Sequence, residues 1–229
     1  DGWLLACSTG VVYALYYTLL AGAYRHADLS VAYPLVRGAA PAFAFLIGIL
    51  VLGENPRILE WAGLGLICLA VLVTAERPKA LTAGRRPAYG IALALLAGLS
   101  SAVYLAIDKQ GARIVHPTMY IALAFGLGAI FQLPILARRW HKDRVVPDGP
   151  TLFRWGLASV ACMVGYALLL SVLRSNPVSS VTALRALSVP MGVWAGGAAL
   201  SEGHSWRKWL SAAVGVAGMV AFALAATWP

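Results

Sequence analysis

Arg37 and Arg185 sit deep inside apolar stretches, where a cation is costly to keep. Each lies about eight residues into its run, or ~12 Å along a helix, near the middle of a ~30 Å hydrocarbon layer. An Arg there costs roughly 2.5–3.5 kcal/mol on insertion scales, and is as a rule functional or paired. Its planar fork fits a carboxylate or a phosphate with two parallel hydrogen bonds. The competing reading is a guanidinium that binds helix-end carbonyls or snorkels to an interface. Tyr17, Tyr33, Tyr104 and Tyr166 fall inside similar runs, and Tyr13, Tyr17 and Tyr24 recur at helical spacing. A phenol offers an apolar body with a polar tip, which suits the wall of a substrate cavity. It suits a membrane-interface belt equally well. Asp108 is read at a run end, as a gating or proton-carrying group. Asp28, Glu54 and Glu202 are also placed at run ends, with Glu54 and Glu202 favouring a helix start or holding a turn. With no carboxylate expected at mid-depth, the two arginines lean the substrate toward an anion or a zwitterion.

Other chemistries find no footing. Cys7, Cys68 and Cys162 are far apart, and His26, His116, His141 and His204 have no ligand spacing. No Ser or Thr has a His/Asp partner at a plausible depth. The expectation is therefore no catalytic residue, no metal and no cofactor. The net charge of +9 is spread over short basic clusters between apolar runs, not along one face. That pattern excludes nucleic acid as a partner and fits orientation in a lipid bilayer.

The elements that must position these residues are membrane helices. Of the 229 residues 60% are hydrophobic and 12% charged, about half the charge of a soluble domain. Eight segments reach the ~20 apolar residues a spanning helix needs: Trp3–Tyr24, Val31–Leu52, Ile58–Ala75, Ala88–Ile107, Pro117–Ala137, Leu152–Arg174, Val178–Leu200 and Trp206–Thr227. The fold class is all-α, a polytopic membrane helix bundle. Asn55-Pro56 and Asn176-Pro177 read as N-cap and first helical residue of the spans that follow. Gly192 with Gly196, and Gly63 with Gly65, read as small residues for close helix packing. Connections on one side hold twelve Lys and Arg, the other side four, which puts the segments 76–87 and 138–150 in the cytoplasm.

Shifting the sequence by 148 positions lays Arg37 on Arg185, Glu54 on Glu202 and Trp61 on Trp209. The first three spans thus recur as the sixth to eighth. Residues 1–78 read as one repeat lacking its first two helices, and residues 88–229 as a second repeat of five. The implied parent has ten helices, and five per repeat makes the copies inverted in the membrane. Inverted repeats suit alternating access, with one site between two mirror-related gates.

The stretch Ala23-Tyr24-Arg25-His26-Ala27-Asp28-Leu29-Ser30, then Tyr33-Pro34-Leu35-Val36-Arg37-Gly38 and Pro41, resembles the EamA-type family of the drug/metabolite transporter superfamily. The turns Gly53-Glu54 and Ser201-Glu202, each followed by a span with a Trp, are similar to that family's ends of helices four and nine. The likeness covers nearly the whole chain, as helices three to ten of ten. It implies an exporter of small metabolites, amino acids or drugs, in a bacterial cytoplasmic (inner) membrane. One departure stands out: many members of the superfamily have cytoplasmic ends, whereas the charge count here puts both ends outside. Arg37 and Arg185 would then bind a small anionic or zwitterionic substrate, with Tyr17, Tyr33, Tyr104 and Tyr166 around it and Asp108 as the proton or gating group. A flippase for a lipid-linked sugar is the alternative, and a channel a more distant one. A homodimer fits any of these.

Overall fold

The computed structural model describes residues 2–27, 29–51, 53, 55–74, 86–143, 148–178, 181, 185 and 206–227. Among these residues the chain is helical with no strand. The helices are α1 (Gly2–His26), α2 (Leu29–Leu50), α3 (Ile58–Thr74), α4 (Pro87–Ile114), α5 (Pro117–Asp143), α6 (Gly149–Leu173) and α7 (Trp206–Thr227). Among the described residues four stretches are long and apolar enough to cross a membrane: α1, Ala88–Ile114, Pro117–Arg138 and α6. Leu35–Leu50 in α2 and Ile58–Ala70 in α3 are shorter apolar segments. Most of the expected seventh span lies outside the described residues, as do Gly192, Gly196, Glu54, Glu202 and the segments 75–85 and 144–147.

Burial runs opposite to a water-soluble protein. Small residues fill the interior, among them Ala6, Ala23, Ala32, Ala44, Ala94, Ala97, Ala102 and Ala112. Large apolar side chains face outward, including Leu4, Leu50, Ile58, Phe153, Leu157 and Leu168. In water such a surface would drive aggregation. In lipid it costs nothing, and small interfacial residues let backbones approach closely. This is an integral membrane helix bundle.

Two details differ from the sequence reading. α3 starts at Ile58, not at Pro56, and Arg57 takes the N-cap position. The Glu60 carboxylate accepts from the Arg57 backbone N–H at 2.9 Å, the reach-back half of a capping box. Gly53, at φ +66°, turns the chain before this start in a conformation that favours glycine. Asn176 does not cap the next helix either. Its side-chain amide donates to the Val172 carbonyl at 2.8 Å, closing the end of α6. Pro177 supplies the carbonyl that Val181 N–H meets at 3.2 Å.

The chain forms two compact units. The first comprises Asp1–Ala14 and Ile107–Asn176, the second Leu15–Ala106 and Pro177–Pro229. In the first, α5 packs on α6. In the second, α3 packs on α7 and on α2. Gly218 of α7 meets the Gly63 backbone so closely that an added Cβ would lie 2.7 Å from the Gly63 carbonyl oxygen. Arg57 then ties the start of α3 to the end of α7, donating to the Ala225 carbonyl at 3.0 Å.

Candidate functional site

The first unit holds a buried carboxylate surrounded by hydroxyls. Asp108 is fully buried. The sequence reading ended its span at Ile107, but α4 continues to Ile114. That correction puts Asp108 about 9 Å inside the end of the span, at 1.5 Å per residue. Carboxylates are therefore not confined to span ends. A carboxylate is tolerated in an apolar helix when its lone pairs are filled. Here neutral hydroxyls fill them. Thr9 Oγ1 donates to Oδ1 at 2.7 Å, and Tyr120 Oη donates to Oδ1 at 3.1 Å. Tyr166 Oη donates to Oδ2, and Tyr13 Oη approaches Oδ2 at 3.4 Å, a long contact. Thr9 Oγ1 and Tyr120 Oη are also 2.9 Å from each other.

Small residues make this arrangement possible. Gly111 is one helical turn after Asp108, on the same face of α4. The Tyr120 ring lies across it, 2.0 Å from where a Cβ would stand, and so reaches the carboxylate. On α1, Gly10 brings the backbone against α5. An added Cβ would be 2.9 Å from Leu127 Cβ and 3.1 Å from Gly128 N. That approach delivers Thr9 and Tyr13 to the cluster. Gln132 of α5 secures it by donating to the Ala14 carbonyl at 3.0 Å. Phe125 closes the apolar side, with its ring 5.1 Å from Tyr13 and 5.5 Å from Tyr166.

The second unit holds both arginines. Arg37 is in α2 and half-buried, with its guanidinium carbon 5.5 Å from the centre of the Tyr33 ring. The two residues are four apart on one helix, the spacing that stacks side chains. That distance is within cation–π range. Among the described residues no acceptor takes a hydrogen bond from the Arg37 guanidinium. Gly98 of α4 lets the Arg37 turn come close, since a Cβ there would be 2.9 Å from Ala39 Cβ and 3.2 Å from the Val36 carbonyl. Arg185 is helical and half-buried. Tyr16 lies within electrostatic reach of both Arg37 and Arg185. Its ring meets Tyr17 edge-on at 5.1 Å and Tyr104 at 5.6 Å. Tyr104 is buried and accepts from Ser101 Oγ at 3.1 Å, while Tyr17 is 41% exposed.

Of the residues singled out from sequence, Arg37 and Tyr33 come together directly. Tyr17 and Tyr104 both meet Tyr16, which sequence reading did not single out as a cavity residue. Tyr166 belongs to the Asp108 cluster. Thr9, Tyr13 and Tyr120 were missed as partners of Asp108. The one sequence signal is Gly111, a turn beyond the acid, which leaves room for a large side chain to cross there. Cys7 and Cys68 are half-buried, Cys162 is exposed, and all three are free thiols.

An all-helical membrane bundle with a sealed carboxylate cluster and two half-buried arginines has the parts of a transporter. The chain belongs to the EamA-like transporter family, whose model matches residues 88–224. It is thus a membrane transporter of the drug/metabolite transporter superfamily, whose members carry small molecules across lipid and are not enzymes. No curated protein matches the chain.

Proposed function

We propose that this protein is a secondary transporter that exports a small anionic or zwitterionic metabolite, such as an amino acid or derivative, from the bacterial cytoplasm. It works by alternating access, with Arg37 and Arg185 binding the negative group. The observation that carries this reading is Arg37. Its guanidinium stands part-way along an apolar helix, steadied by the Tyr33 ring, and its donors find no acceptor among the described residues. A guanidinium has five N–H donors, and leaving them unused in an apolar setting is costly unless a ligand or water takes them. Tyr16, reached by both arginines, supports their acting on one substrate. Tyr17, Tyr33 and Tyr104 supply the apolar walls. Asp108 offers no rival site for a cationic substrate, because four hydroxyls surround it and it is fully buried.

Eight spans in two inverted repeats, residues 1–78 and 88–229, complete the proposal. The starts of α3 and α7, Ile58 and Trp206, are separated by the same 148 positions that relate Arg37 to Arg185. Trp61 and Trp209 each stand fourth in those helices. α1 and α6 are both 25 residues long. These regularities support a duplicated unit, which is the framework alternating access uses.

Transport by the full chain in proteoliposomes tests the reading, with a radiolabelled panel of amino acids, a dicarboxylate and a cationic dye. The expected result is uptake of an amino acid or the dicarboxylate, and not of the dye. Arg37→Ala and Arg185→Ala should each lower it about 10- to 100-fold, the loss of one charge-assisted hydrogen-bonded contact. Arg→Lys should keep part of the activity, because the charge remains and the fork is lost. Wild-type rates in both Ala variants, or transport of the dye alone, would overturn it.

A further inference from the structure

Three oxygens in the Asp108 cluster form a closed triangle. Thr9 Oγ1 to Asp108 Oδ1 is 2.7 Å, Thr9 Oγ1 to Tyr120 Oη is 2.9 Å, and Tyr120 Oη to Asp108 Oδ1 is 3.1 Å. Every edge is at hydrogen-bond distance. The two hydroxyls bring only two hydrogens, since each carries one. With Asp108 ionised, one edge has two oxygens face to face and no hydrogen between them. A third hydrogen completes the ring. We infer that Asp108 Oδ1 is a proton-binding site, completed by Thr9 and Tyr120, and that proton movement through it drives transport.

The step balances without a co-reactant other than water. A proton from hydronium forms an O–H bond on Oδ1, leaving a water molecule. The Thr9 hydrogen turns from Oδ1 to Tyr120 Oη. The new acid O–H donates to Thr9 Oγ1, and Tyr120 continues to donate to Oδ1. Each oxygen then donates once and accepts once. Oδ2 stays held by Tyr166, with Tyr13 at 3.4 Å. The groups facing the carboxyl are the neutral phenols Tyr13 of α1, Tyr120 of α5 and Tyr166 of α6. Lys109 follows Asp108 on α4 and is itself buried. No cation is hydrogen-bonded to the carboxyl among the described residues. Loading a proton therefore alters contacts that hold α1, α4, α5 and α6 to one another, which is how an occupied site can bias helix packing.

The plane of this triangle has no room for a metal ion. At its centre an ion would lie ~1.7 Å from each oxygen, shorter than the ~2.0–2.1 Å of even Mg²⁺.

The purpose assigned to the site rests on the transporter reading, but proton binding is tested without substrate. The full chain in lipid is titrated from about pH 4 to pH 9, the range over which buried and exposed carboxyls exchange protons, and followed by infrared difference spectroscopy. A protonated-carboxyl C=O band that titrates, is absent in Asp108→Asn and shifts in frequency in Thr9→Val and Tyr120→Phe is the expected result. Should D108N not fold, ¹³C labelling of the aspartate side-chain carboxyl carbon gives the same answer by comparing wild type with T9V and Y120F. No titrating aspartate band, or one indifferent to T9V and Y120F, overturns the site. So does a band removed by sodium chloride and not by choline chloride, which would make the ligand sodium.

Coupling is then read in the transport assay above, with a pH step imposed across the vesicles. The step should stimulate wild-type transport several-fold, and D108N should lose that stimulation. A wild type indifferent to the step overturns the coupling. If no panel compound is transported, the substrate reading fails while the infrared result still decides the proton site.

Discussion

The two polar regions of this protein treat the same problem in opposite ways. In the first unit Asp108 is surrounded, its oxygens met by Thr9, Tyr13, Tyr120 and Tyr166 and none of it exposed. In the second unit Arg37 is half-buried, leans on an aromatic ring and has no described hydrogen-bond acceptor. Both are ionisable groups in apolar helices, where an unmatched charge is expensive. A group whose needs are met internally contributes to folding. A group left short contributes to binding, because a ligand can supply what the fold withholds. The comparison therefore predicts that substitutions around Asp108 cost stability, whereas substitution of Arg37 costs activity at nearly constant stability.

The largest stability effect should come from Gly111→Ala. The new methyl would stand 2.0 Å from the Tyr120 ring, and that ring is almost completely buried, so it cannot swing aside. Either the helices separate or Tyr120 leaves the carboxylate. Overpacking of this kind costs ~1–3 kcal/mol, and the added loss of a carboxylate contact puts the total near the top of that range. Unfolding in mixed micelles, followed by helicity, measures it. An unchanged midpoint would mean that the two helices are less tightly set against each other than described.

Tyr166→Phe comes next. It keeps the ring packed against Phe125 and Tyr13 and removes only the hydroxyl. Hydrogen bonds to charged groups contribute ~1.5–3 kcal/mol, so a loss of about 2 kcal/mol is expected in the same assay. Thr9→Val, of similar volume, should cost a comparable amount. If Tyr166→Phe is neutral in stability and lowers transport without changing its response to a pH step, Tyr166 serves substrate directly, as the sequence reading placed it.

That placement illustrates what sequence could and could not carry. Helix and lipid were legible because apolar runs near 20 residues have no other stable home. The Arg37–Tyr33 pair was within reach too, since four residues on one helix put two side chains together. The Asp108 cluster was not. Its partners lie 99, 95, 12 and 58 positions away on α1, α5 and α6, and no local pattern records such a meeting. Asp108-Lys109-Gln110 also looked like the polar exit of a span. Lys and Gln form helices readily, and α4 runs on through them to the turn before Pro117. Burial of the acid depended on distant hydroxyls, so its depth was invisible until the helices were in place. The start of α3 shifted for a smaller reason: Glu60 reaching back to Arg57 outweighs the cap signal of Asn55-Pro56.

Arg37→Ala should be nearly silent in unfolding, within about 0.5 kcal/mol of wild type, while transport falls as described above. Removing the guanidinium gives up a cation–π contact worth ~0.5–1 kcal/mol and also relieves the burial of an unmatched charge, so the two offset each other. A large loss of stability would make Arg37 a structural residue and move the substrate site elsewhere.

The smallest effect is expected for Gly126→Ala, which separates the cost of a methyl in itself from the cost at Gly111. Gly126 lies on α5 as Tyr120 does, but a Cβ there meets nothing within 4 Å. Inside a helix, alanine is favoured over glycine by up to ~1 kcal/mol. The variant should be unchanged or slightly more stable, with its Asp108 infrared band where the wild type has it. Gly111→Ala makes the same chemical change on the neighbouring helix, yet should destabilise the protein and displace that band. If both glycines respond alike, the effect at Gly111 is generic to helix packing, and the Tyr120–Asp108 contact has no special standing. Opposite signs would trace the cost to the ring that lies across Gly111 and to the carboxylate it holds.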